Sequence, residues 1–310
     1  MIEYRHIPVL YRETLDALAI KKDGIYLDGT LGGAGHSEGI LKRLETGRLI
    51  ANDLDIRAID NAKQMLDAYG DKVTYIQDDY KNILSHLDLL KISLLDGILL
   101  DLGVSSHQID TPERGFAYSK DAPLDMRMDE QGVLSAYDVI NNYSEKELVK
   151  IFFEYGEERY ARRIAAAIVS TRRDRHISTT FELADLVKSN YPKSYQLGHP
   201  AKRVFQAVRI EVNGELDGLY QAVMSMARRL KAGGRMAVIT FHSLEDRIIK
   251  NCFRELESDC LCDKAKHPIC ICGKQREVKI LTKKPIIAGK EELEYNKRAE
   301  SAKLRVIEKI

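Results

Sequence analysis

Three apolar runs end in an aspartate: Ile25-Tyr26-Leu27-Asp28, Leu49-Ile50-Ala51-Asn52-Asp53 and Ile98-Leu99-Leu100-Asp101. An acid at the end of a buried strand sits at the mouth of a cleft rather than in bulk water. Asp28 leads into Gly29-Thr30-Leu31-Gly32-Gly33-Ala34-Gly35-His36. Glycines there permit positive φ and let a ligand approach the backbone closely. Asp53 lies 25 residues after Asp28, where an acid can accept hydrogen bonds from both hydroxyls of a ribose. Asp78, Asp79 and Tyr80 close a third run, where an adenine edge and ring would lie. A dinucleotide site would prefer G-x-G-x-x-G in the first turn, and that spacing is missing. An acid, a glycine-rich loop and then a helix suit S-adenosylmethionine, which has no pyrophosphate to hold.

The elements that must position these residues are legible from period. Residues 25–28, 48–53, 73–78 and 96–101 read as short strands, the last continuously apolar in its middle. Strands buried on both faces of a parallel sheet have that character. Residues 37–44 and 58–69 carry apolar side chains at helical spacing. Alternating strand and helix with short links indicates a doubly wound α/β domain. A helix over 214–230, ended by Gly233-Gly234, would precede a fifth strand at 235–240. Asp101 and Arg235 are 134 residues apart, far more than one βαβ link requires, so something is inserted. Ser135 with Asp138, Ser144 with Glu147, and Thr179 with Glu182 have helix-start spacing. The expected organisation is a sheet domain in two parts, 1–107 and 213–310, around an all-helical insert at 108–212. Residues 278–281 and 302–307 are candidate closing strands.

Motifs along nearly the whole chain resemble the MraW/RsmH family of ribosomal RNA small-subunit methyltransferases. They include His6-Ile7-Pro8-Val9-Leu10, Asp28 to Ser37, Asp96 to Gln108, Glu113 to Phe116, Pro123 to Met128 and Tyr155 to Arg159. Phe205 to Ile210, Phe241 to Arg247 and Ser301 to Arg305 continue the series. The resemblance implies a class I Rossmann-like α/β methyltransferase that uses S-adenosylmethionine. It implies methylation of N4 of a cytidine in the decoding centre of 16S rRNA, with the small ribosomal subunit as partner and an insert that recognises substrate. It carries the methyl-donor contacts onto Ala34, Gly35, His36, Asp53, Tyr80, Asp101 and Gln108. The family often has Phe where Tyr80 stands, so a stacking ring is retained. Near the end, Asn296-Lys297-Arg298-Ala299-Glu300-Ser301 departs from the family's Asn-Pro-Arg-Ala-Arg-Ser.

An exocyclic cytosine amine is a poor nucleophile, because its lone pair is delocalised into the ring. An acceptor at the amine would help it pyramidalise and lose a proton. Asp101, a loop carbonyl or a nearby acid could serve, and the residues do not choose among them. Asp125 and His242 are further catalytic candidates. Asp125 has an alternative as the anchor of a salt bridge to Arg127, and His242 follows the fifth strand toward the same edge. Arg162-Arg163, Arg172-Arg173, Arg175 and Lys202-Arg203 recur in the insert. With Arg209 they are candidate phosphate contacts, and Arg203 and Arg209 are favoured because they lie near the return to the sheet. Most such charge runs are simply solvated helix surface. A competing reading makes the chain a non-catalytic RNA-binding or ribosome-assembly protein on a methyltransferase fold.

Four of the five cysteines crowd into 260–272 as Cys260-Leu261-Cys262 and Cys270-Ile271-Cys272. Four thiolates can close a structural zinc site; free thiols in an exposed loop are the alternative. With 310 residues, 48 basic and 47 acidic side chains, the net charge is +1. These figures exclude a polyelectrolyte and a globally basic coat protein, but not a local basic face. No stretch approaches the roughly 20 apolar residues of a membrane span, and Met1 to His6 carry no leader-like apolar run. A cytoplasmic protein without a membrane partner is expected, and a homodimer is left open.

Overall fold

The computed structural model describes residues 8–192, 198–262 and 269–310. His6 and Ile7 of the first motif lie outside them. In chain order the strands are β1 (Ile25–Asp28), β2 (Arg48–Asp53), β3 (Val73–Gln77), β4 (Leu95–Asp101), β5 (Leu230–Thr240), β6 (Val278–Ile280) and β7 (Lys303–Lys309). The first helices are α1 (Tyr11–Leu18), α2 (Gly35–Leu41), α3 (Ile56–Met65), α4 (Ile83–Leu89), α5 (Ser106–Asp110) and α6 (Ala136–Asn142). They continue with α7 (Glu145–Glu154), α8 (Ala161–Asp174), α9 (Thr180–Ser189), α10 (Ala201–Asn213), α11 (Leu219–Arg228), α12 (Ser243–Glu257) and α13 (Lys290–Tyr295).

The chain divides into two compact units, one of residues up to Gly103 with Leu216–Ile310, the other Val104–Glu215. The first unit holds a seven-stranded sheet in the order β3-β2-β1-β4-β5-β7-β6. Strands β1 to β5 pair in parallel with one another, whereas β7 runs antiparallel to β5 and to β6. Period 2 explains why the strands read as apolar throughout. Leu27, Ile50, Ile98, Leu100 and Val238 face one buried layer with Leu219, Val223, Ile249 and Phe253 of α11 and α12. Tyr26, Leu49, Ala51, Leu99 and Ile239 face another, with Leu15, Ile40, Ile59 and Ala62 of α1, α2 and α3. Both faces are thus covered by helices, and function is left to the strand ends.

The stretch read as one helix over 214–230 is shorter than expected. Gly214, at φ 54°, ends α10, and Gly218, at φ 70°, precedes α11. Two left-handed positions four residues apart cannot lie inside one right-handed helix. Nor does Gly233-Gly234 separate helix from strand. Leu230 already pairs with Leu95, with a register shift before Gly97, and the glycines lie within β5. The helix read over 58–69 runs instead from Ile56 to Met65 and gives way to a tighter turn, Asp67–Lys72, containing Gly70 at φ 51°.

The second unit, Val104–Glu215, contains α5 to α10. Its core gathers Val139, Leu148, Phe152, Ile164, Ile168, Leu183, Val204 and Val208. The three helix starts read from spacing are capping boxes: Ser135 with Asp138, Ser144 with Glu147, and Thr179 with Glu182.

Candidate active site at the carboxyl edge of the sheet

Parallel pairing brings the ends of β1, β2 and β4 side by side: Asp28 is opposite Ala51 and Leu99, and Asp101 is opposite Ile239. The loop after Asp28 is fastened to its neighbours atom by atom. Gly29 N–H donates to Leu99 O at 2.9 Å and Leu31 N–H to Asn52 O at 2.9 Å. Gly32 N–H donates to Asp53 Oδ2 at 2.7 Å. The Asp101 N–H donates to Thr30 Oγ1 at 2.5 Å. Ala34 takes a left-handed conformation, φ 61°, immediately before α2. Two glycines are required by space. A Cβ at Gly29 would lie 2.5 Å from Leu100 Cδ2, and one at Gly35 would lie 2.3 Å from Pro8 Cγ.

Burial sets the electrostatics. Asp28 is pushed up to about 6 by burial, although Ser37 Oγ donates to it at 2.7 Å and Thr30 N–H at 3.2 Å. Asp53 is likewise pushed up to about 6 by burial, against the N–H groups of Asp55 and Gly32. Each Asp53 oxygen accepts one of these bonds, and a carboxylate has about four acceptor positions, so capacity remains for hydroxyls. Asp101 is raised well above the ordinary carboxylate range, first by burial and then by the charges of Asp28 and Glu245. Its Oδ1 is buried with no hydrogen-bond partner, and its Oδ2 lies 3.7 Å from His36 Nδ1. His36 Nε2 is 3.1 Å from Val9 O. A carbonyl only accepts, so Nε2 carries the proton in the neutral ring and Nδ1 turns a lone pair toward Asp101. Tyr11 stacks on His36, with ring centroids 6.1 Å apart.

Tyr80 opens the turn after β3, half-buried, and its Cβ would be 3.5 Å from a Cβ at Gly29. Ala34, Gly35, His36, Asp53, Tyr80 and Asp101 therefore gather along one edge of the first unit. His242 belongs to the same unit and is the N-cap of α12. Its Nδ1 accepts the Glu245 N–H at 3.5 Å, and its Nε2 lies 3.0 Å from Glu245 Oε1.

Sequence reasoning missed three groups here. Asn52, wholly buried, donates through Nδ2 to Gly29 O at 3.1 Å and Asp78 O at 3.0 Å, tying two strand-end turns together. Thr30 fixes the backbone of Asp101. Glu245, 1% exposed, accepts the N–H of Phe241 at 2.9 Å and adds negative charge near Asp101. An amide inside an apolar strand and an acid three residues after His242 were the signals available.

The remaining candidates lie in the helical unit. Gln108 is buried and closes a capping box with Ser105, its Oε1 accepting the Ser105 N–H at 3.0 Å. Asp125 is gripped by Arg127, with Nε to Oδ1 at 3.0 Å and Nη2 to Oδ2 at 2.6 Å. Burial pushes Asp125 up, but the side-chain and backbone hydrogen bonds from Arg127 and the charges of Arg127 and Arg114 together hold it below the ordinary carboxylate range. Arg114 and Asn213, also unremarked in the sequence, hold the same loop. Arg114 Nη2 donates to Arg127 O and Met128 O, and Asn213 donates to Met126 O and accepts the Met128 N–H. Arg203 is exposed and donates to Glu157 O at 2.7 Å. Arg209 makes a two-pronged pair with Glu215, at 2.8 and 2.9 Å. In the first unit, the Sγ atoms of Cys260, Cys262, Cys270 and Cys272 lie within 4.8 Å of one another.

The strand-end edge carries Asp28, which is buried, and Asp53 and Asp101, which are half-buried, with Asp101 Oδ1 lacking a partner; such an edge suits a small ligand with positive charge and hydroxyl donors. A family model described as the MraW methylase family matches residues 3–310. A Ribosomal RNA small subunit methyltransferase H of Clostridium botulinum (strain 657 / Type Ba4) is 53% identical over 311 residues, covering 100% of both chains. Its namesake in Clostridioides difficile (strain 630) is 50% identical over 312 residues, again covering 100% of both. Another, in Carboxydothermus hydrogenoformans, is 49% identical over 310 residues, covering 100% of this chain and 99% of the relative.

Proposed function

The chain belongs to the MraW methylase family, and on that premise we propose that it transfers a methyl group from S-adenosylmethionine to N4 of a cytidine in the decoding centre of 16S rRNA. The observation that carries this reading is the line of Asp28, Asp53 and Asp101 at adjoining strand ends, with Asp101 Oδ1 buried and unpartnered. Acids raised by burial and mutual repulsion favour a cationic ligand, which restores their charge as it binds.

When bound, the donor supplies an electrophilic methyl group on a positively charged sulfur. The chain's residues do the rest. Asp53 accepts from ribose hydroxyls with its remaining lone pairs, and Tyr80 offers a ring face for adenine. Ala34 and Gly35 let the ligand lie against backbone, and His36 and Asp101 face its charged end. The resemblance carries one further donor contact onto Gln108 of the helical unit. The bound donor would offer its methyl group in line with the N4 lone pair and would leave as the neutral thioether, so alignment is the main requirement placed on the chain. The surplus N4 proton passes to Asp101 Oδ1, which is buried and has no hydrogen-bond partner. Asp125 already serves Arg127 and His242 already caps α12, which gives both positioning roles in this reading. The cytidine must be unstacked, since an amine inside a duplex does not reach the donor. The helical unit supplies RNA contacts, with Arg203 among them.

A substrate of this kind implies a cytoplasmic location and the small ribosomal subunit as partner; no described helix is long and apolar enough to cross a membrane. A zinc ion held by Cys260, Cys262, Cys270 and Cys272 takes no part in this chemistry. Incubating labelled S-adenosylmethionine with undermethylated small subunits and mapping the product tests the proposal. Label at one cytidine N4 is expected, and label at no cytidine N4 refutes it. If calorimetry detects no donor binding, the non-catalytic assembly reading takes its place.

A further inference from the structure

We propose that Cys260, Cys262, Cys270 and Cys272 hold a zinc ion that fastens the excursion between α12 and the edge strand β6. All four sulfurs converge within 4.8 Å. The Cys270–Cys272 and Cys272–Cys260 sulfur separations are 3.6 and 3.9 Å. Thiolates at about 2.3 Å from a tetrahedral zinc are about 3.8 Å apart, whereas disulfide sulfurs are at about 2.05 Å. All four cysteines are free. The backbone is arranged to receive charge on sulfur: Leu261 N–H points to Cys272 Sγ at 3.5 Å, and Cys262 N–H to Cys260 Sγ at 3.3 Å. Such N–H groups orient and stabilise metal-bound thiolates.

The segment's side chains are otherwise arranged the wrong way for a hydrophobic core. Leu261, Ile269 and Ile271 are 53%, 81% and 71% exposed, while the cysteines turn toward one another. Among its described residues this short excursion has no apolar core, and such a segment needs a covalent or metal fastening. Its two ends are already joined. Glu277 N–H donates to Leu256 O at 2.9 Å, Arg276 Nε to Glu257 O at 3.0 Å, and Ile280 N–H to Glu257 Oε1 at 2.8 Å. A metal at the cysteines closes the remaining loop. The strand it would steady, β6, pairs with β7 alone at the end of the sheet. The ion's role is structural by position, because the cysteines follow the C-terminus of α12 whereas His242 caps its N-terminus. Fifteen residues of helix separate the two ends by about 22 Å. Binding involves no redox step: each thiol that ligates gives its proton to solvent as its S–Zn bond forms. Four soft thiolates in tetrahedral array select zinc or iron over calcium or magnesium.

Elemental analysis of the full-length protein, purified without chelator, tests the assignment. About one zinc per chain is expected in the wild type, and none in the Cys260→Ser/Cys272→Ser variant. That variant should still bind S-adenosylmethionine, while amide exchange at Val278–Ile280 becomes faster. Cobalt exchanged into the wild type should give the visible absorption of a tetrahedral thiolate site. Wild-type protein with four freely alkylated thiols and no metal, with iron in place of zinc, or with cysteine pairs found as disulfides by mass would each overturn the proposal.

Discussion

Asp101 places one carboxylate oxygen beside His36 and leaves the other buried and unpartnered, a costly arrangement for a folded protein without ligand. The Asp101→Asn variant removes a charge repelled by Asp28 and Glu245, so it should melt a few degrees higher than wild type in ligand-free form at pH 8. That advantage should shrink as pH falls, because wild-type Asp101 then takes up a proton. Methyl transfer should drop by about 10²-fold or more, the usual worth of a positioned base; unchanged single-turnover rates would remove Asp101 from its role. The same sign holds at Asp28 and Asp53, both pushed up to about 6 by burial. Between the ordinary carboxylate range and pH 6 the folded state holds more protons than the unfolded one. Their contribution to stability is therefore fully present at low pH and lost as pH rises through 6. Donor affinity runs the other way and should weaken as pH falls through 6, which calorimetry across that window will show. Gly35→Ala puts a methyl group 2.3 Å from Pro8 Cγ. It should cost about 1–3 kcal/mol in stability and weaken donor binding. That Asp28, Asp53 and Asp101 end strands was legible, because each closes an apolar run. Asn52 was not, because its value lies in carbonyls 23 and 26 positions away, which no local pattern displays.

At the N-terminus of α12, Glu245 joins backbone capping to the electrostatics of the cleft. Its Oε2 accepts the N–H groups of Phe241 and His242, and its charge helps to raise Asp101. Glu245→Gln keeps an oxygen for the N–H groups and deletes the charge. Its melting temperature should fall by a few degrees, because the amide nitrogen takes the place of Oε1, 3.0 Å from His242 Nε2. The acid limb of its rate against pH should move to lower pH, since Asp101 then ionises more readily. A profile superimposable on wild type would show that Glu245 only caps the helix. Helix starts were among the most legible elements: the pairs at Ser135, Ser144 and Thr179 are local chemistry, complete within four residues. The return from insert to sheet was less legible. Apolar spacing ran on through Gly214 and Gly218, whose left-handed φ values break the helix, and Gly233-Gly234 looked like a terminator until Leu230 was seen to pair with Leu95. Pairing across 135 residues is a tertiary fact that helical periodicity does not contain.

Across the whole molecule, an even charge balance is spent differently from place to place. The 134-residue interval from Asp101 to Arg235 disclosed an insert by length alone. The helical unit Val104–Glu215 encloses the expected limits of 108–212, but which of its cations are available was visible only in their contacts. Arg172 donates to Ile140 O and Tyr143 O, Arg175 pairs with Glu182 and Arg209 with Glu215. Arg162, Arg163, Arg173 and Lys202 are exposed. Two variants separate these classes. In Arg209→Ala the nearly buried Glu215, with its side chain 7% exposed, loses its two-pronged partner. The loss should cost about 3–5 kcal/mol in stability; a melting temperature within a degree of wild type would count against a structural role. Arg162→Glu/Arg163→Glu should melt like wild type and bind S-adenosylmethionine with unchanged affinity. If α8 meets phosphates, this variant should bind small subunits more weakly, with a salt dependence flatter by about one logarithmic unit of slope for each phosphate no longer neutralised. An unchanged slope would move the RNA surface off α8 and leave Lys202 and Arg203 of α10 as the next residues to reverse.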